Sequence, residues 1–185
     1  MFNSARAFSE LEKSGAIPKG KLLFVNSIGS QALNSKENEE LNRSYGHLLP
    51  RLVLEITEEE DHDPDALERK RRSVKTFALD DYSSGYNNEK SLLAISPAFI
   101  KMDLAIIRGI NSDVDKQQIV SNTVSYAHWR GMKVVAEGLE TASDMKMCIS
   151  LDVDLLQGFY LACPASAPGD ITPEAIKLIR QMNQK

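Results

Sequence analysis

The sequence predicts an α/β protein, a largely parallel sheet covered by helices. Three observations predict it. Strand-like runs and helical patterns alternate almost without interruption along the 185 residues. The strand-like runs are rich in Val, Ile, Leu and Phe, as strands buried on both faces are. Polar residues recur at the ends of those runs.

Taken in order, residues 4–14 read as a helix stopped by Gly15. Residues 21–26, KLLFVN, form a short apolar strand, and 35–47 a polar helix opening on Ser35. The strand RLVLEIT covers 51–57. Asp63-Pro64 supplies a cap and a first helical residue for a helix running to about residue 74. TFALD (76–80) is a strand, and a loop containing Gly85 leads to a helix at about 88–95. AFIKMD (98–103) is a strand, and a long helix over about 113–130 ends at Gly131. MKVVA (132–136) is a strand. Thr141 caps a helix at 142–151, with Asp144 in the capping-box position. VDLL (153–156) is the last strand, and Thr172-Pro173 opens a final helix to about residue 183. Nothing indicates a second domain, a repeat array or a low-complexity tract.

Composition narrows the function classes. The chain is 42% hydrophobic and 26% charged, an ordinary globular balance with enough length for one core. A net charge of −4 and the lack of a basic stripe argue against DNA or RNA as partner. Cys148 and Cys163 form no CxxC motif and read as two reduced, partly buried thiols. His47, His62 and His128 lack metal-ligand spacing and receive no catalytic role. No apolar run approaches the roughly 20 residues that span a bilayer. The polar, helical amino terminus is unlike a signal peptide. The expectation is a cytoplasmic chain without membrane contact of its own, compatible with a tether elsewhere in a longer parent.

The strand ends carry the functional signal. In order they present Asn26, Glu55, Asp80 with Asp81, Lys101 with Asp103, Glu137, and Gln157. Any one of these, taken alone, is as easily a helix cap or a solvated side chain. Six in succession favour a closed barrel, in which strand ends converge on one mouth and the active site sits there. Glu55 is the most telling, because a carboxylate within an apolar strand is costly unless paired or metal-bound. Asn, Glu and adjacent Asp are hard oxygen ligands suited to Mg²⁺ or Mn²⁺. Two such ions would serve in-line displacement at phosphorus. Lys101 either orients the attacking water and offsets phosphate charge, or pairs structurally with Asp103 or Asp80.

From about residue 20 to 164 these motifs resemble, in order and spacing, the EAL domains of bacteria. The matching segments are FVNS, LEITE (54–58), LDDYSSGYNN (79–88), FIKMD (99–103), VVAEGLET (134–141) and LLQGFYLACP (155–164). The resemblance implies a TIM-like (β/α)8 barrel that hydrolyses cyclic di-GMP to linear pGpG with two Mg²⁺ or Mn²⁺ ions. It makes Asn26, Glu55 and Asp80 metal ligands, and Asp81 a ligand to the second ion. Lys101 is implied to hold the catalytic water. Asp103 and Glu137 complete the metal–water shell, and Gln157 helps order the site. Glu58 would anchor the loop over 82–88, which includes Tyr82, Ser83, Ser84 and Gly85 and is implied to couple metal binding to dimerisation. A homodimer is implied, with a sensor or GGDEF-type domain upstream in the parent protein.

Three departures shape the expectation. No Glu-Ala-Leu triplet occurs in the chain, and neither does the arginine that follows it in the family. The barrel is therefore expected to be incomplete at the amino terminus, lacking a first strand and helix, with impaired turnover and a tendency to self-associate. The stretch from Glu58 to Asp80 is about one helical turn shorter than usual. Tyr82 and Ser83 stand where Phe and Gly are usual. The competing reading is a non-catalytic EAL-like domain that binds cyclic di-GMP or a protein.

Overall fold

Eight α-helices and six strands alternate along the described residues. The computed structural model describes residues 1–27, 33–57, 63–82, 88–165 and 167–182. Glu58, His62, Ser83, Ser84 and Gly85 lie outside them. The order is α1 (Phe2–Lys13), β1 (Leu23–Asn26), α2 (Ser35–Tyr45), β2 (Leu52–Thr57), α3 (Pro64–Ser73), β3 (Thr76–Tyr82) and α4 (Asn88–Ile95). It continues with β4 (Phe99–Met102), α5 (Leu104–Ile107), α6 (Val114–Trp129), β5 (Lys133–Ala136), α7 (Ala142–Ser150), β6 (Leu155–Leu156) and α8 (Pro173–Met182). Strand order follows the chain, β1-β2-β3-β4-β5-β6. The residues pack as two compact units, Met1–Leu79 with Asn87–Pro97, and Asp80–Tyr86 with Ala98–Lys185.

In the first unit β1 and β2 run parallel, from Leu23 opposite Leu52 to Asn26 opposite Glu55. Ala5 and Phe8 of α1 pack with Ile17 and Leu48, and Leu11, Leu23 and Tyr45 cover that cluster. Arg51, just before β2, donates to both carboxylate oxygens of Glu12, at 2.8 Å for the Nη2–Oε2 bond. That guanidinium holds the Glu12 carboxyl below the usual carboxylate range. Helix α2 buries only Leu41, as its polar sequence predicts. Its cap is Asn34, one residue earlier than Ser35, because Asn34 and Glu37 exchange a reciprocal capping box. Asp63 caps α3 through the Ala66 amide at 3.0 Å. The buried face of α3 is Ala66, Leu67, Lys70 and Ser73. Arg71 lies 4.7 Å over the Phe77 ring and donates to the Ile95 carbonyl, tying α3 to the end of α4.

In the second unit β4, β5 and β6 are parallel, with Lys101 opposite Val135, Met102 opposite Ala136 and Ala136 opposite Leu156. Every residue of β4 is buried, as expected of an interior parallel strand. The segment after β4 departs from the sequence expectation. Asp103 caps the one-turn helix α5, and a 3-10 turn follows at Ile110–Ser112. Lys116 closes the carboxyl end of α5 by donating to the Ala105 and Arg108 carbonyls at 2.7 and 2.8 Å.

Helix α6 ends beside Gly131, whose φ of +71° suits glycine. Trp129, the one tryptophan of the sequence, is 77% exposed there, with Arg130 stacked 5.9 Å from its ring. His128 meets the Asp154 carboxylate at 3.0 Å, a structural contact at the base of β6. The cysteines separate. Cys148 on α7 is fully buried, and burial pushes its thiol up to about 12, while Cys163 is exposed rather than partly buried. Among the described residues, no helix is long and apolar enough to cross a membrane.

Candidate active site

The site of the second unit grows from the carboxyl end of β3. Asp80 is buried and Asp81 exposed. Successive side chains of a regular strand point to opposite faces, so two neighbouring carboxylates should diverge. Asp81 breaks the alternation with a φ of +54°. Aspartate reaches that left-handed region more readily than most residues, and such irregularities cluster next to active sites. The Asp81 amide donates to Asp80 Oδ1 at 3.1 Å, so the dipeptide braces its own turn.

The result is convergence. Asp80, Asp81 and Glu137 each bring a carboxylate oxygen within 4.8 Å of the others. Lys101, buried on β4, bridges two of them, with Nζ 2.8 Å from Asp80 Oδ1 and 2.9 Å from Glu137 Oε1. A lysine at this depth is stable because it is paired on two sides. The four side chains carry three carboxylates and one ammonium, a net negative charge that a divalent cation offsets. The donors are all hard oxygens, which suit Mg²⁺ or Mn²⁺ and not a thiolate-seeking ion. On donor chemistry, the residues fit the implied metal.

Glycines fix Glu137 in place. Gly138 has φ +69°, and a Cβ there would stand 2.5 Å from the Leu104 Cβ. At Gly158 a Cβ would meet the Leu139 backbone at 2.3 Å. That close approach lets the Leu139 amide donate to the Gln157 carbonyl, and the Gln157 amide to the Ala136 carbonyl. Gln157 itself is exposed, and its backbone splices the end of β6 to the segment after β5.

The remaining predicted residues fall as follows. Asp103 spends one carboxylate oxygen on the Ala105 amide at 2.7 Å, and its own amide donates to the Tyr82 carbonyl at 3.2 Å. Lys101 therefore pairs with Asp80, one of the two partners the sequence offered, and with Glu137, which it did not offer. In the first unit, Asn26 ends β1 as an exposed residue and stands in register with the buried Glu55. The Ser27 amide donates to the Glu55 carbonyl at 2.8 Å. Glu55 lies two residues inside the end of β2, which stops at Thr57 as the sequence predicts, and Asp80 lies two inside the end of β3, which runs on to Tyr82, two residues further than predicted. Sequence reasoning missed Lys70, which reaches Ser27 from α3 with Nζ 2.7 Å from Oγ. Its place on the Ala66-Leu67-Lys70-Ser73 stripe was the available signal.

A family model described as the EAL domain matches residues 2–164. The chain belongs to the EAL domain family. The match extends the resemblance back through α1, beyond the motif-bearing stretch. Among curated relatives, the cyclic di-GMP phosphodiesterase PdeL of Escherichia coli is 33% identical over 143 residues, 73% of this chain. The chain spans 38% of the length of that relative. Among solved structures, a manganese/cy-diGMP complex of Klebsiella pneumoniae BlrP1 is 29% identical with a TM-score of 0.75, covering 90% of this chain and 45% of that one. A standalone EAL protein from Vibrio cholerae in its c-di-GMP-bound form shares the fold at a TM-score of 0.76 and 24% identity, over 92% of this chain and 75% of its own. The EAL fold is the TIM-like barrel class expected from the strand ends. A complete barrel of that class has eight strands, and the described residues hold six.

Proposed function

We propose that this EAL domain opens one phosphodiester of cyclic di-GMP to give linear pGpG. The observation that carries the reading is the convergence of Asp80, Asp81 and Glu137 around the buried Lys101. Two Mg²⁺ or Mn²⁺ ions would supply an activated water and neutralise charge at the reacting phosphate. Within the second unit, Asp80, Asp81 and Glu137 would hold a divalent ion; within the first, the family resemblance assigns Asn26 and Glu55 as metal ligands.

The chain's own groups do the positioning. Lys101, fixed from two sides, aims its ammonium at the water or at a non-bridging phosphate oxygen. The water oxygen stays on phosphorus, the ribose oxygen departs, and that oxygen takes up a proton. Asp103 braces the ends of β3 and β4 through its backbone and α5 through its side chain. Gln157 orders the segment carrying Glu137 through its backbone. The cluster's negative charge repels a dianionic substrate until cations are bound, which makes hydrolysis strictly metal-dependent.

The test is incubation with cyclic di-GMP and Mn²⁺, with pGpG followed by chromatography. Asp80→Ala is expected to abolish turnover while the chain stays folded, and unchanged turnover would sink the assignment. Binding of the dinucleotide in Ca²⁺ without hydrolysis in Mn²⁺ would identify a receptor instead.

A further inference from the structure

Lys70 is a buried charge that the chemistry above does not use. It is 4% exposed, at the centre of the buried stripe of α3, where helix patterning calls for an apolar residue. Its neighbours show how unusual this is. In the run Arg69-Lys70-Arg71-Arg72, Arg69 and Arg72 are exposed, Arg71 is half-buried, and only Lys70 is buried. Burying an ammonium is costly unless its hydrogen bonds are specific.

One hydrogen bond of Lys70 goes to a particular place. Lys70 Nζ donates to Ser27 Oγ at 2.7 Å. Ser27 follows Asn26, the last residue of β1. The Ser27 amide in turn donates to the Glu55 carbonyl, and Asn26 stands in register with Glu55. Lys70 thus grips the residue that joins the two proposed ligands of the first unit. The strand terminus it holds would otherwise leave β1 free to fray, since β1 is only four residues long.

We infer that Lys70 is a positioning residue, acting through Ser27 to hold Asn26 and Glu55 in the geometry that binds a divalent cation. The inference rests on the proposed metal-ligand roles of Asn26 and Glu55. Groups that orient ligands in this way typically change metal affinity 10–100-fold when removed.

The experiment measures Mn²⁺ affinity by electron paramagnetic resonance of the free ion, with folding checked by circular dichroism. Lys70→Met keeps the stem and removes the ammonium. Ser27→Ala removes only the acceptor, and Ser27→Thr keeps it. Lys70→Met and Ser27→Ala are each expected to weaken Mn²⁺ binding about tenfold. The double variant should match either single one, and Ser27→Thr should restore wild-type affinity. A folded Lys70→Met chain with wild-type affinity overturns the inference. If Lys70→Met fails to fold, Ser27→Ala decides alone, and wild-type affinity there overturns it equally. Asp80→Ala separates the two levels. Should it too bind Mn²⁺ normally, the metal reading itself fails. Should it lose binding while Lys70→Met and Ser27→Ala do not, only the role of Lys70 fails.

Discussion

Each unit of the chain sets a buried lysine beside its candidate ligands, and the two lysines work differently. Lys101 in the second unit bridges two carboxylates directly, at 2.8 and 2.9 Å. Lys70 in the first unit donates to a hydroxyl one residue removed from Asn26. The difference teaches where each loss should be felt. Removing Lys101 strips a charge from the reacting centre, whereas removing Lys70 loosens a strand end.

The sharpest way to break the comparison is Lys101→Met. It leaves Asp80 and Glu137 without their shared ammonium, and breaking a buried pair from one side costs about 3–5 kcal/mol. Loss of a charge aimed at the transition state should lower turnover on the order of 100- to 1,000-fold. Urea denaturation and initial rates measure both. If Lys70→Met proves as damaging to turnover as Lys101→Met, the two lysines are equivalent and the distinction is wrong.

Gly138→Ala is next in size. The new methyl would be forced against Leu104 with a left-handed backbone, at a cost of about 1–3 kcal/mol. Glu137, one residue back, should shift with it. The expected result is a lower melting temperature and a fall in kcat that extra Mn²⁺ does not restore.

The smallest effect uses pH to separate the units. Glu12 has a lowered carboxyl pKa in the folded state because Arg51 grips it. Its stabilising contribution is present above the unfolded carboxylate range and is lost as pH falls through the folded value. Cys148 behaves oppositely, because its thiol is raised to about 12. That contribution is complete below the unfolded thiol range, near 9, and is lost as pH climbs toward 12. Acid should therefore weaken the first unit and alkali the second. Glu12→Gln should flatten the acid limb of stability against pH, and Cys148→Ala the alkaline limb. At pH 8, iodoacetamide should label Cys163 and spare Cys148.

Much of this was legible in the sequence, and the failures have physical causes. The strand runs were readable because apolar residues crowd them, and Asp63, Thr141 and Gly131 marked helix ends by their capping chemistry. Helix α5 was not readable, because Leu104–Ile107 is an apolar run too short to show a helical period. Its one signal was Asp103, already assigned to the site. The candidate ligands were visible as polar residues at strand ends. The bend that gathers them was not, since nothing in an Asp-Asp pair announces a positive φ at Asp81. Lys70 was hidden by its company, because a lysine in a run of arginines reads as a solvated face. Register with the apolar Ala66 and Leu67 is what distinguishes it.

The exposure of Trp129 has a practical consequence. As the one indole in the chain, and 77% solvated, it should emit at long wavelength already in the native state. Iodide should quench it readily, and its spectrum should barely move when the core comes apart. Intrinsic fluorescence is thus a local gauge of the α6 terminus, and melting of the sheet has to be followed by circular dichroism or by a second indole placed in the core.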